Sequence, residues 1–163
     1  MARTELERTV QPSLLDRLTD EEPRVPADRA TTRDASARAF RTSVQRDVEY
    51  LLNTRRTIVQ PAERQVQLMR SVHQYGLPDM TGLSFSSPEG REQLADAILD
   101  TLRRFEPRLS DVSLTLKESE DGDTSQVRFA IAATLLMDPS PEQVLFDTVL
   151  DVATGNYALG DRS

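Results

Sequence analysis

Apolar residues recur along this chain at two periods, near four in its first two thirds and two thereafter. Over residues 36–56, Ala37, Phe40, Val44, Val48 and Leu51 return every three or four positions with arginine and glutamate between them, which predicts an amphipathic helix. Arg55 and Arg56 fall in its last predicted turn, where cations oppose the negative end of the helix dipole. Pro61 restarts the chain into a shorter predicted helix, residues 62–75, with Val66, Met69 and Val72 on one face and Gly76 placed to end it. A second strong helix starts at Ser86 or Ser87, with Pro88 at its first position, Glu89 and Glu92 in its first turn and a stripe of Leu94, Ile98, Leu102 and Phe105. Pro107 ends it.

The period then becomes two. Val112, Leu114 and Leu116 alternate with Ser113, Thr115 and Lys117 as a half-buried strand, and residues 118–123, with Asp121-Gly122, form the turn. Val127, Phe129, Ile131, Ala133 and Leu135 make a second strand. Asp138-Pro139-Ser140-Pro141 forces a loop, and Val144, Phe146, Leu150 and Val152 make a third strand. Thr154-Gly155-Asn156 turns the chain into a short terminal segment, residues 157–159. Clean alternation with Asp147 and Asp151 facing out marks the third strand as the expected free edge. Helices first and an antiparallel meander after them predict an α+β fold with helices packed on one face of a small, mainly antiparallel sheet. That single domain occupies residues 36–163.

Residues 1–35 contain no glycine and carry Pro12, Pro23 and Pro26 among alternating charges, which reads as an extended N-terminal arm. Its apolar cluster is Leu14, Leu15 and Leu18, a short amphipathic turn too short to be stable alone and expected to dock on something.

The chain has 163 residues, 37% of them apolar, with no cysteine and no uninterrupted apolar run of membrane-spanning length. Arg3, Glu5, Glu7 and Arg8 stand where a signal peptide needs an apolar block, so the cytoplasm is the expected compartment, without direct membrane insertion. Residues 1–80 hold 13 basic and 12 acidic side chains and residues 81–163 hold 7 and 15, so the net charge of −7 lies in the second part. Such a distribution repels phosphate backbones and argues against a nucleic-acid partner.

Motifs for catalysis are sparse. His73 is the sole histidine, which is a thin basis for a nucleophile, base and orienter to converge. Gly76, Gly82 and Gly90 fit no phosphate-binding loop. Aligning Gly122 to a calcium loop puts Lys117 and Arg128 at ligand positions. No cofactor is expected. Glycosidase chemistry needs two carboxylates beside a sugar-stacking surface, and with no Trp and 5% aromatics that platform is missing. Glu106-Pro107-Arg108 is the local anomaly, because Glu106 ends a helix and its carboxylate faces the negative dipole end. Arg103 and Arg104 supply one answer as local partners. A rigid Glu106–Arg108 pair offered to another chain is the other.

Ser13-Leu14-Leu15-Asp16-Arg17-Leu18, Arg46-Asp47-Val48-Glu49-Tyr50-Leu51-Leu52-Asn53-Thr54-Arg55-Arg56, Tyr75-Gly76-Leu77-Pro78-Asp79 and Phe105-Glu106-Pro107-Arg108-Leu109 resemble, in order and spacing, the TssE family of bacterial type VI secretion systems. That family is similar to the baseplate wedge proteins of contractile phage tails, long labelled lysozyme-like. The resemblance implies a structural role without a reaction: a baseplate subunit near the inner membrane that joins the wedge proteins TssF, TssG and TssK and starts polymerisation of the TssB/TssC sheath. It places partner-binding at Glu106, Pro107 and Arg108; Leu14, Leu15 and Leu18, from the arm's own pattern, are the further expected contact. A peptidoglycan muramidase is the second reading.

Overall fold

The computed structural model describes residues 9–19, 32–80, 82–117, 125–138 and 140–161. Four α-helices, α1 Leu14–Leu18, α2 Arg33–Asn53, α3 Val66–Met69 and α4 Pro88–Phe105, precede four strands, β1 Leu109–Lys117, β2 Gln126–Leu135, β3 Glu142–Asp151 and β4 Asn156–Asp161. The strands pair antiparallel in chain order, so the sheet is a plain meander and the fold is α+β. The turn expected at residues 118–123 lies outside the described residues.

Local chemistry explains where the long helices start. The Thr32 side chain accepts from the Ala35 N–H at the head of α2, and the Ser87 side chain accepts from the Gly90 N–H at the head of α4, with Pro88 next to it. One face of the sheet carries Phe129, Ile131, Leu135, Phe146 and Leu150, and it packs with Val44, Val48, Leu51 and Leu52 of α2 and Leu94, Ile98 and Leu102 of α4 in one buried cluster. The other face carries Lys117 paired with Asp147 at 2.5 Å and Gln143 donating to Thr134 at 2.8 Å.

Four expectations change. Helix α2 starts at Arg33, three residues earlier than expected, and stops at Asn53, so Arg55 and Arg56 lie beyond it. There the chain pairs with Leu77: the Arg56 N–H donates to the Leu77 carbonyl at 2.7 Å and the Leu77 N–H to the Thr54 carbonyl at 2.8 Å. Gly76 makes this approach possible, since at φ +98° a Cβ would sit 2.3 Å from the Thr54 oxygen. The helix expected over residues 62–75 shrinks to the four residues of α3 and a 3-10 turn, Val72–Gln74. Gln65 makes no side-chain cap bond for α3, and the Ser71 side chain accepts from the His73 N–H, starting a new turn before a longer helix can form.

Strand β1 begins at Leu109, three residues earlier than expected, and a bulge between Ser110 and Ser113, with Asp111 at φ +51°, lets Leu109 and Val112 both face the core. Strand β3 is not an edge, because the terminal segment is a full strand, β4, hydrogen-bonded along it from Phe146↔Asp161 to Asp151↔Asn156. Asp147 and Asp151 do face away from the core, yet from the interior of the sheet.

Candidate assembly site

Glu106 caps α4, and its N–H donates to the Leu102 carbonyl at 2.9 Å. Its side chain turns inward and is 4% exposed, so an unpaired carboxylate here is costly. Pro107 holds the turn that brings Arg108 back onto it, and the guanidinium clamps both carboxylate oxygens, Nε to Oε1 at 2.6 Å and Nη2 to Oε2 at 2.5 Å. Arg103 and Arg104 do not fill this role, and Arg104 pairs with Asp100 instead.

The clamp extends across the molecule. Arg108 Nη2 also donates to Asp47 Oδ2 at 2.9 Å, Arg46 Nη2 donates to Asp47 Oδ1 at 2.9 Å, and the same nitrogen donates to Asp16 Oδ1 at 2.8 Å. Five alternating charges thus run from the end of α4 through α2 to α1. Hydrogen bonds from the Ser13 and Ser43 hydroxyls, with Arg46 beside them, hold the Asp16 carboxyl well below the usual carboxylate range. Glu106, joined by Asp47, pushes Arg108 further up against the opposing effect of burial. Tyr75 packs edge-on against Phe105 at 5.4 Å; burial first, then Asp47 and Glu106, raise its phenol.

The arm docks through these polar atoms and through Val10, which is buried and whose N–H donates to Ser36 Oγ at 3.0 Å. Its leucines are not what docks it: Leu14, Leu15 and Leu18 are 70%, 65% and 75% exposed. The structure therefore joins Glu106, Arg108 and the arm in one network and leaves the leucine face bare. Sequence reasoning assigned no role to Asp16, Arg46 or Asp47. Ser13 three residues before Asp16 is a readable capping signal, but nothing local connects Arg46-Asp47 to a residue 61 positions away.

The sheet has two edges, and helix α2 occupies one. Asn53 donates to the Tyr157 carbonyl and accepts the Tyr157 N–H, both at 2.8 Å, while Gln45 donates to the Leu159 carbonyl at 2.8 Å. These bonds use the outward backbone groups of β4. At the outer side of β1, which starts one residue after Arg108, the Leu109 N–H turns back to the Glu106 carbonyl at 3.1 Å, and among the described residues no backbone bond from another element follows it along that edge.

A cleft of about 490 Å³ opens elsewhere, between Leu77, Met80 and Phe85 on one side and the β3–β4 turn on the other. Asp79 is the one carboxylate among its lining residues, where a glycosidase would need a pair. The His73 ring nitrogen lies 3.2 Å from the Val59 carbonyl. No helix among the described residues is long and apolar enough to cross a membrane.

No curated protein and no solved structure matches the chain. One family model does, that of the baseplate wedge protein gp25, over residues 38–140. The matched span runs from α2 past the end of β2 and contains Arg46, Asp47, Glu106, Pro107, Arg108 and the whole of the open strand β1. Covering well over half of the sequence, it shows that the chain belongs to the gp25 baseplate wedge family, structural subunits of phage-like baseplates.

Proposed function

We propose that this protein is the TssE-type subunit of a contractile type VI secretion baseplate, working by binding rather than by catalysis. In this reading it joins TssF, TssG and TssK in the wedge on the cytoplasmic side and initiates the TssB/TssC sheath. The observation that carries it is the open β1 edge beside the Glu106–Arg108 clamp. An edge strand offers unpaired N–H and C=O groups to an incoming strand, the backbone supplying affinity and alternating side chains the register. The clamp steadies the start of that edge, since the Leu136 N–H donates to the Arg108 carbonyl at 2.8 Å. Partner-binding is accordingly assigned to Glu106, Pro107 and Arg108 as the fixed base of the edge, and to Leu14, Leu15 and Leu18 as an apolar contact for a wedge protein.

A pair of proline variants tests the edge. In an antiparallel ladder alternate N–H groups face out, so of Leu114→Pro and Thr115→Pro one removes an outward donor and the other a ladder bond. The variant that stays folded is expected to enter the wedge and to fail in sheath assembly, scored by imaging of extended sheaths. Normal sheaths from that folded variant would remove β1 as the docking edge. The muramidase reading predicts hydrolysis of purified peptidoglycan that is abolished by Glu106→Gln; no turnover is expected from either protein.

A further inference from the structure

We infer that the loop of residues 57–75 is a docking surface for an acidic, apolar segment of a neighbouring protein subunit; the inference rests on the baseplate reading for where that neighbour is met. The loop is pinned at its root by the Arg55–Leu77 bridge and by the bonds of Arg56 and Leu77 described above. Inside it, the Ala62 N–H donates to Gln65 Oε1 at 3.0 Å and the Ser71 hydroxyl to the Leu68 carbonyl at 2.8 Å. Its shape thus comes from local polar bonds and a fixed base, not from burial of its aliphatic side chains.

Those side chains face outward. Among the described residues, six of the eleven exposed large apolar side chains lie here: Ile58, Val59, Val66, Leu68, Met69 and Val72, with Ile58 and Val72 each 84% exposed. Scattered exposed apolar residues are ordinary, but this concentration in one anchored loop marks a surface that another molecule covers.

Charge identifies the occupant. The loop itself carries Arg64 and Arg70 against Glu63 alone, a net of +1, and Arg55 and Arg56 at its root bring residues 55–75 to +3 in a chain of −7. None of the four makes an ion pair among the described residues, whereas Arg41, Arg46, Arg104 and Arg108 each do. A protein segment with aliphatic residues flanked by aspartate and glutamate answers both features at once. Nucleic acid or an anionic membrane spreads its charge well beyond the loop, where the acidic remainder of the chain opposes it, whereas a short segment seated on the loop stays within about a Debye length of its arginines.

The test places a photoreactive amino acid at position 72 in the full chain and crosslinks it within assembled baseplates. Expected is a crosslink to a different protein, in a peptide rich in aliphatic and acidic residues. Its yield should fall several-fold in high salt and in an Arg64→Glu, Arg70→Glu variant whose melting temperature is unchanged. A crosslink to lipid, to nucleic acid, to the chain itself or to a basic or purely polar segment overturns the inference, as does incorporation without a crosslink. Failure of the unlabelled chain to enter any baseplate overturns the baseplate reading first, and this inference with it.

Discussion

Arg108 and Asp47 meet at 2.9 Å across 61 residues of chain, so the end of α4, the start of β1 and the middle of α2 are fastened at a single guanidinium. The same guanidinium neutralises Glu106, which has almost no access to water. The two partners of the clamp are therefore not equivalent.

Removing Arg108 leaves Glu106 buried without its counter-charge, whereas removing Glu106 leaves Arg108 a quarter exposed and still paired with Asp47. Arg108→Ala is expected to destabilise by about 3–5 kcal/mol and Glu106→Ala by roughly 1–3 kcal/mol. Thermal or urea melts of the two variants decide this, and equal losses would mean that the clamp is not organised around the buried carboxylate.

Asp16 should make arm docking sensitive to acid. Its carboxyl is held well below the ordinary value of 3.8, so its contribution is complete above that pH and is lost as pH falls further toward the folded value. Amide protection at residues 13–19, taken relative to the intrinsic exchange rate at each pH, is expected to be high at neutral pH, to fall in acid, and to be low already at neutral pH in Asp16→Asn. Unchanged exchange in that variant would assign docking to Val10 alone.

Replacing Leu14, Leu15 and Leu18 together with serine removes side chains that are mostly in solvent, so melting should shift by no more than about 0.5 kcal/mol. Each leucine buried at an interface contributes about 1.5–3 kcal/mol, so association with wedge proteins should weaken at least tenfold. Affinity measured by calorimetry against purified wedge subunits checks it; full affinity would make the leucine face incidental.

Asn53→Ala deletes both bonds to Tyr157 on the β4 edge. The expected cost is about 1–3 kcal/mol, read as a lower melting temperature. Sheath initiation should survive in the folded fraction if incoming strands use β1. Loss of initiation at full stability would move the docking edge to β4.

Tyr157 adds an alkaline limit. Burial pushes its phenol up to about 12, so the unfolded chain ionises first, and stability should decline as pH rises above the ordinary value of 10.0. A Tyr157→Phe protein should lose this alkaline slope in melts followed across that range.

Periodicity alone determined the two long helices, the inward faces of the strands and the α+β class. Leu94, Ile98 and Leu102, or Phe129 and Ile131, have no second environment in which so much apolar surface leaves water. Ser87 and Pro88 made the start of α4 legible for the same local reason, whereas α2 starts at its Thr32 cap, three residues before the apolar stripe indicated. What residues near in sequence could not encode was decided by distant partners. The stripe of Val66, Met69 and Val72 had the helical spacing but no surface to pack against, so about four expected turns shrank to one and the aliphatics stayed outside. Asp147 and Asp151 carried the pattern of an edge strand, yet β4 returned to pair with β3, and only the pairing of whole strands decides which one is last. Glu106 announced itself as a misplaced charge, while its burial, its partner Arg108 and the line of charges through Asp47 and Arg46 to Asp16 exist only because α1, α2 and the α4–β1 turn converge in space, where opposite charges that leave water must find each other.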